Sequence, residues 1–389
     1  MTVERRYDIV ISGGGLAGLS LSILLARTGW KVCVLEKETY PLHKVCGEYI
    51  SMESWDFLCD LGLPLEKWNL PKIHRFQLTA PNGKFLSAEL PLGGFGLSRY
   101  KLDAELAVAA RKAGVDLYEN CKVQDITFEN DIHRIKTTLG EFIAPVSCAC
   151  FGKKSNLDVK WKRSFLSRGS ENYVGVKYHI QTPLEPGLIA LHNFPGGYCG
   201  VSAIEDNRYC FCYLTTSRNL KKNQQSIPAM EEKILKKNPV LKKLLDESLF
   251  IFDDPLTIAQ ISFRKKTQTE KHTIFIGDAA GMITPLCGNG MSMAFHGSKI
   301  VSPLINEFLQ GKISRLEMEK KYQETWNRQF AGRLRAGRLI QRFFGSAFRS
   351  SLLIAILKPL PSLVKAIIRS VELILSRRSM RPHPRNTDP

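Results

Sequence analysis

The sequence predicts an α/β protein with a Rossmann-like dinucleotide-binding domain, an antiparallel-sheet domain interleaved with it, and a helical C-terminal region. Three observations predict this: a glycine-rich turn inside an N-terminal βαβ unit, a second strand–glycine–helix unit near residue 277, and a run of short strands between them.

The first unit begins with Tyr7-Asp8-Ile9-Val10-Ile11-Ser12, a short β-branched run stopped by glycine and so a buried strand. Gly13-Gly14-Gly15-Leu16-Ala17-Gly18 follows, then a helical stretch from Leu19 to Thr28, then a strand from Lys31 to Leu35 that ends in Glu36 and Lys37. Each piece has a physical task in holding a dinucleotide. Gly13 permits the tight turn, Gly15 lets backbone approach a pyrophosphate, and Gly18 lets helix and strand pack closely. The helix N-terminus at Leu16 and Ala17 offers free N–H groups and the positive end of its dipole. Glu36, eighteen residues after Gly18, is placed to accept hydrogen bonds from an adenosine ribose.

Next, Ile73–Leu90 carries Pro81-Asn82-Gly83 between two alternating runs, which predicts a hairpin. Short strands are expected at Tyr173–His179, Leu188–His192, Gly200–Ala203 and Arg208–Leu214, with turns at Pro195-Gly196-Gly197 and Glu205-Asp206-Asn207. Ile227 to Leu245 reads as an amphipathic helix pair broken at Pro239. The second glycine unit is the strand Thr273–Gly277, then Asp278-Ala279-Ala280-Gly281, Pro285, Gly288-Asn289-Gly290, and a helix from Met291 to about Leu309.

Strand, Gly-Asp-Ala-Ala-Gly, Pro, Gly-x-Gly and helix resemble the second FAD motif of the flavoprotein aromatic hydroxylase and geranylgeranyl reductase superfamily. The resemblance implies an FAD-binding Rossmann-like domain of the glutathione-reductase type, and it covers roughly residues 5 to 330. It implies that Gly277 and Asp278 meet the ribityl and pyrophosphate region, and that Pro285 and Gly288–Met291 approach the flavin ring. Arg99-Tyr100-Lys101-Leu102-Asp103 resembles the family's Arg-x-x-Leu-Asp entry to a cofactor-contacting helix, placing Arg99 beside the FAD. The family's Ala-Asp-Gly segment corresponds to Cys150-Phe151-Gly152; Gly152 matches, and Phe151 stands where the aspartate would. Lys44-Val45-Cys46-Gly47 resembles the Lys-x-Cys-Gly segment of the reductases, which passes the isoalloxazine ring; Cys46 and Gly47 are therefore cofactor-contacting candidates.

These units divide the chain. Residues 1–70, 96–160 and 263–330 are expected to form the FAD-binding domain, and 71–95 with 161–262 the substrate-binding sheet. Residues 331–379 are expected to form a basic helical region and 380–389 a disordered tail.

The ten cysteines are scattered, with no Cys-x-x-Cys pair and no secretory signal, so reduced thiols are expected. No metal-ligand spacing occurs, and a cytoplasmic protein is predicted, one able to sit at the inner face of the membrane. The formal charge is +18, and from Arg328 onward thirteen Lys or Arg face only Glu372 and Asp388. No apolar run there reaches the roughly 20 residues of a spanning helix, and Pro359 and Pro361 divide them. Basic residues beside apolar faces suggest contact with an anionic membrane surface, with a helical cap packed on the flavin domain as the alternative.

For function, the resemblance favours an NAD(P)H- and O₂-dependent monooxygenase that hydroxylates an aromatic or lipid-like small molecule. The alternative is a geranylgeranyl-reductase-like enzyme acting on isoprenoid double bonds. A third reading, a basic FAD-containing RNA-binding protein, lacks the expected aromatic residues among the basic ones; nucleic acid is not the expected partner. Cys46 and Glu48 are the candidate catalytic residues, Cys46 as a proton donor or a packing group. Tyr198 and His192, on strands of the presumed roof over the flavin, are the candidate substrate-binding residues.

Overall fold

The computed structural model describes residues 4–166, 173–284, 289–341 and 343–372. A six-stranded sheet runs in the order Thr269–Glu270, Thr273–Phe275, Val146–Ala149, Ile9–Ser12, Val32–Leu35, Asp116–Tyr118, and every neighbouring pair is parallel except the first. Its central strands are short and wholly buried, which is why they read as continuous apolar runs. Helix Leu16–Ala26 is buried nearly all round, because it packs against helices Arg99–Lys112 and Gly290–Leu309 as well as the sheet. The Ser20 and Ser298 hydroxyls meet at 2.9 Å across the first and last of these helices.

A four-stranded sheet, ordered Glu4–Arg6, Gly140–Ala144, Ile132–Thr137 and Val123–Glu129, adds Ile126, Ile135 and Phe142 to the same core. The third sheet is the roof. Its order is Leu249–Phe250, Tyr173–Gln181, Arg208–Thr216, Gly197–Ile204, Leu188–Phe194, Lys72–Thr79, Phe85–Gly96, Tyr49–Ser51, and Leu256–Ile261 also pairs with Tyr173–Gln181. The expected hairpin, the four roof strands and the helix pair at Ile227–Lys233 and Pro239–Glu247 are all present. The α/β class, the interleaved sheet and the helical C-terminus are as predicted.

Two segments sit differently from the expected division. Tyr49–Ser51, inside 1–70, is the edge strand of the roof; three residues are too few to announce a strand by alternation. Arg163, inside 161–262, packs on the parallel sheet, with its guanidinium 3.7 Å from the Phe275 ring centroid.

Helix Arg315–Gln341 runs back along the flavin-domain core on Met318, Tyr322, Trp326, Phe330 and Leu334, a stripe at every fourth residue. Helices Ala347–Leu357 and Pro361–Glu372 then fold onto the roof, burying Ile354 and Val364 with Leu78, Leu86, Leu191, Tyr198 and Leu214. Among the described residues no single helix is long and apolar enough to cross a membrane.

Candidate functional site

The glycine turn is built from backbone. Gly13 has φ +108°, and a Cβ there would lie 2.6 Å from the Cys150 carbonyl oxygen. A Cβ on Gly18 would lie 2.0 Å from the Gly13 carbonyl oxygen. Helix Leu16–Ala26 starts at Gly15 with no side-chain cap, so its first-turn N–H groups face outward with the dipole's positive end. Glu36 closes the turn: its Oε2 accepts from the Gly14 amide at 2.7 Å and its Oε1 from the Glu38 amide at 3.1 Å. Lys37 is exposed and pairs with Glu38 at 3.1 Å.

Two cations converge on this turn. Arg99 Nη2 and Lys44 Nζ each lie 3.8 Å from the point a Gly15 Cβ would occupy. Buried Asp103 holds both, taking Arg99 at 2.7 and 2.8 Å and Lys44 at 2.8 Å. Burial alone would raise the Asp103 pKa; Arg99 and then Lys44 outweigh it and hold the carboxyl below its usual range. Uncapped amides and two positive charges at one glycine are groups that could hold a pyrophosphate.

The second glycine unit reaches the same place. Gly277, at φ +65°, brings its backbone against Ala17, where a Cβ would lie 3.1 Å from the Ala17 methyl. The carbonyls that follow are held one by one. Asp278 O accepts from Lys266 Nζ at 2.8 Å, Ala279 O from Arg163 Nη1 at 3.2 Å, and Ala280 O from Gln268 Nε2 at 3.1 Å. With its backbone anchored, the half-buried Asp278 carboxylate is left without a hydrogen bond among the described residues, available to ligand hydroxyls. Burial lowers the Lys266 pKa to about 8, and Asp278 partly offsets this. Gly290 opens helix Gly290–Leu309 after Asn289, and Met291 is buried in its first turn. Pro285 and Gly288 lie outside the described residues, as does the tail after 372.

The Lys44–Gly47 loop is held in the same manner by groups distant in sequence. Lys44 O accepts from Lys177 Nζ at 3.2 Å, Val45 O from Lys153 Nζ at 3.2 Å, Cys46 O from Cys210 Sγ at 3.2 Å and Gly47 O from Ser202 Oγ at 3.2 Å. Nothing lies within 4 Å of a Gly47 Cβ, so the loop borders open space. Cys46 is half-buried.

Glu48 follows at φ 56° and is fully buried. Its Oε1 accepts from the Arg99 amide at 2.7 Å and from Lys177 Nζ, and its Oε2 lies 2.7 Å from His179 Nε2. Burial would raise its pKa, but Lys177 and then His179 outweigh that and hold it low. Glu48 thus ties the loop, the start of helix Arg99–Lys112 and the roof together. Lys177, His179, Lys153, Lys266, Arg163 and Gln268 were not singled out from sequence, and Asp103 appeared there only as the end of the Arg-x-x-Leu-Asp segment. The available signal was charge inside otherwise apolar strands, as at Lys177 and His179, which share a face by period two.

Strand register separates the two substrate candidates. Lys177 pairs with Cys212, Cys210 with Ser202, and Leu214 with Tyr198, so all lie on the face toward the Lys44–Gly47 loop. Tyr198 is buried there, its ring 5.6 Å from Phe344. Tyr198 pairs with Asn193, which sends His192 to the opposite face, where its Nδ1 lies 2.8 Å from Thr79 Oγ1. Gly152, at φ +82°, has nothing within 4 Å of its missing Cβ, while Phe151 packs edge-on to Phe275 at 6.0 Å.

Residues 6–131 match the FAD binding domain family. Conditioned medium factor receptor 1 of Dictyostelium discoideum is 26% identical over 364 residues, 84% of this chain and 68% of that protein. Digeranylgeranylglycerophospholipid reductase 2 of Methanopyrus kandleri is 22% identical over 343 residues, 83% of each chain. Among solved structures, a geranylgeranyl bacteriochlorophyll reductase-like protein from Thermoplasma acidophilum superposes with TM-score 0.79 at 18% identity, covering 95% of this chain and 96% of that one. A flavin-dependent brominase superposes with TM-score 0.78 at 17% identity, covering 94% and 93%. The glycine cradle, the paired cations and the open Asp278 carboxylate suit FAD; with the matched FAD binding domain they mark an FAD-dependent oxidoreductase, similar in fold to a geranylgeranyl bacteriochlorophyll reductase-like protein and to flavin-dependent halogenases.

Proposed function

We propose that this FAD-dependent oxidoreductase reduces carbon–carbon double bonds in a lipophilic, isoprenoid-like chain. The observation that carries the reading is the apolar seam between the roof and the last two helices. Leu78, Leu86, Leu191, Tyr198 and Leu214 meet Ile354 and Val364 there, and Met282, just after the Asp278–Gly281 turn, joins the same cluster. Apolar side chains therefore run from the cofactor turn along the roof, packed under the last two helices; parting those helices from the roof would give an alkyl chain dispersion contacts and few polar partners. The relatives that act by name on digeranylgeranylglycerophospholipids support the same substrate class.

Bound FAD supplies hydride equivalents from its reduced ring. The chain's own groups do the rest. Arg99, Lys44 and the Leu16–Ala26 N-terminus neutralise the pyrophosphate, and Asp278 takes the ribityl hydroxyls. The four donors on the Lys44–Gly47 carbonyls keep Cys46 in one position, where its Sγ–H delivers the proton that completes reduction of the alkene. NAD(P)H is the proposed source of electrons. Hydroxylation, the reading favoured on sequence, stands second, because the shared fold also serves flavin-dependent brominase chemistry.

The test is to reduce the purified holoprotein anaerobically and add a geranylgeranylated lipid. Return of oxidised flavin absorbance with a saturated product is expected. Reoxidation by O₂ alone, with oxygen inserted into an aromatic acceptor, would replace this reading with the hydroxylase. Cys46→Ala is expected to keep its flavin and lose at least tenfold in anaerobic turnover, about the lower range of a general acid's contribution.

A further inference from the structure

The last two helices have two apolar faces, and only one is used by the fold. The inner face carries Ile354 and Val364, exposed by 2% and 5%. The outer face carries Phe348, Leu352 and Ile356, exposed by 76%, 47% and 52%. They are spaced by four residues, so they line one side of helix Ala347–Leu357. Leu360, at the break, and Leu363 and Ile367, one turn apart on the next helix, are exposed as well, and the two helices meet at a bend of 111°. Scattered surface leucines need no explanation, but exposed apolar rows on each of two consecutive helices do.

Charge points to what covers it. From Arg328 to Val371 the chain has no acidic residue, and Arg335, Lys358 and Lys365 are exposed there. An apolar strip bordered by cations and free of anions complements an anionic lipid surface, where side chains insert among the acyl chains and ammonium groups stay at the headgroups. We propose that the outer face of the Ala347–Leu357 and Pro361–Glu372 pair seats this protein on an anionic bilayer, lying in the interface without spanning it. The inner face of the same pair walls the apolar seam of the roof, so docking sets that seam beside the lipid. The docking face stands whichever reaction the flavin performs.

The test uses full-length, FAD-loaded protein and sedimentation with vesicles of phosphatidylcholine alone or with about a third phosphatidylglycerol. Strong association with the anionic vesicles only is expected, falling as salt is raised. The triple variant Phe348→Ser, Leu352→Ser, Ile356→Ser, and separately Lys358→Glu with Lys365→Glu, are each expected to lose about tenfold or more in association. Both should retain the flavin spectrum, since neither removes a buried inner-face side chain and Lys358 meets the roof only over the exposed Phe85 ring, at 5.6 Å. No sedimentation with anionic vesicles, or association unchanged in both variants, overturns the proposal. A dimer in size-exclusion chromatography that the serine variant converts to monomer also overturns it, by showing that a second copy covers this face.

Discussion

The turn at Gly13–Gly18 and the loop at Lys44–Gly47 border the same site but are made in opposite ways. The turn takes most of its shape from contacts inside one βαβ unit: Gly18 backs onto Gly13, and Glu36 grips Gly14, with the Cys150 carbonyl closing on Gly13 from the neighbouring strand. The loop has no such internal support. Its four carbonyls depend on Lys177, Lys153, Cys210 and Ser202, which lie more than a hundred residues away. A glycine turn can thus be largely local while the loop beside it is held by a sheet from another part of the chain.

The sharpest way to break this comparison is Gly18→Val. Even a single Cβ would sit 2.0 Å from the Gly13 carbonyl oxygen, so the turn must open. Purified protein is expected to carry no flavin, and titration with FAD should give affinity down a hundredfold or more. A variant that keeps its flavin would show that the turn is not the cradle.

Arg99→Ala comes next. It leaves buried Asp103 with Lys44 alone and should cost about 3–5 kcal/mol in stability, read from denaturant unfolding. Asp103→Asn in the same chain should return part of that loss. In the unsubstituted protein, Asp103 and Glu48 both have pKa values held low by their cations. Their stabilisation is therefore complete above the unfolded values near pH 4 and is lost as pH falls through the lower folded ones. Asp103→Asn should flatten that acid limb.

Lys177→Met separates loop from turn. Glu48 keeps the Arg99 amide and His179, but the Lys44 carbonyl loses its donor. FAD affinity should change by less than about threefold while turnover falls about tenfold, a split visible by comparing flavin titration with kcat. Equal losses in both would mean that the loop serves binding after all.

The smallest effect belongs to His192, on the far face of the roof. Burial lowers its pKa from 6.5 to about 4. Between those values the unfolded chain binds a proton that the folded chain refuses, so stability rises with pH there. His192→Gln should reduce the slope of unfolding free energy against pH in that window and leave substrate KM unchanged. A raised KM would return His192 to the substrate side.

Much of the flavin domain was legible because its motifs are chain-local. Gly13, Gly15, Gly18, Glu36 and Gly277–Gly281 are marked by glycine and strand–helix order, and those marks follow from steric demands at single positions. Arg99 was legible only through the resemblance of its Arg-x-x-Leu-Asp segment to a family motif; its pairing with Asp103, four residues on, is seen in the structure. His192 and Tyr198 show the limit: both lie on roof strands, and only the pairing of Tyr198 with Asn193 decides which of them faces the loop. A one-residue difference in register would exchange the two faces.

The amino-acid sequence alone determined the α/β class, the dinucleotide turn, the roof strands and the concentration of positive charge after Arg328, since each rests on local sterics, periodicity or composition. Tertiary structure alone decided that Glu48 is a buried tie between Lys177 and His179, that two loops are held carbonyl by carbonyl, and that the last helices bury one apolar face while exposing the other. Those features depend on which distant groups share a low-dielectric interior, and residue type and spacing along a chain do not encode that proximity.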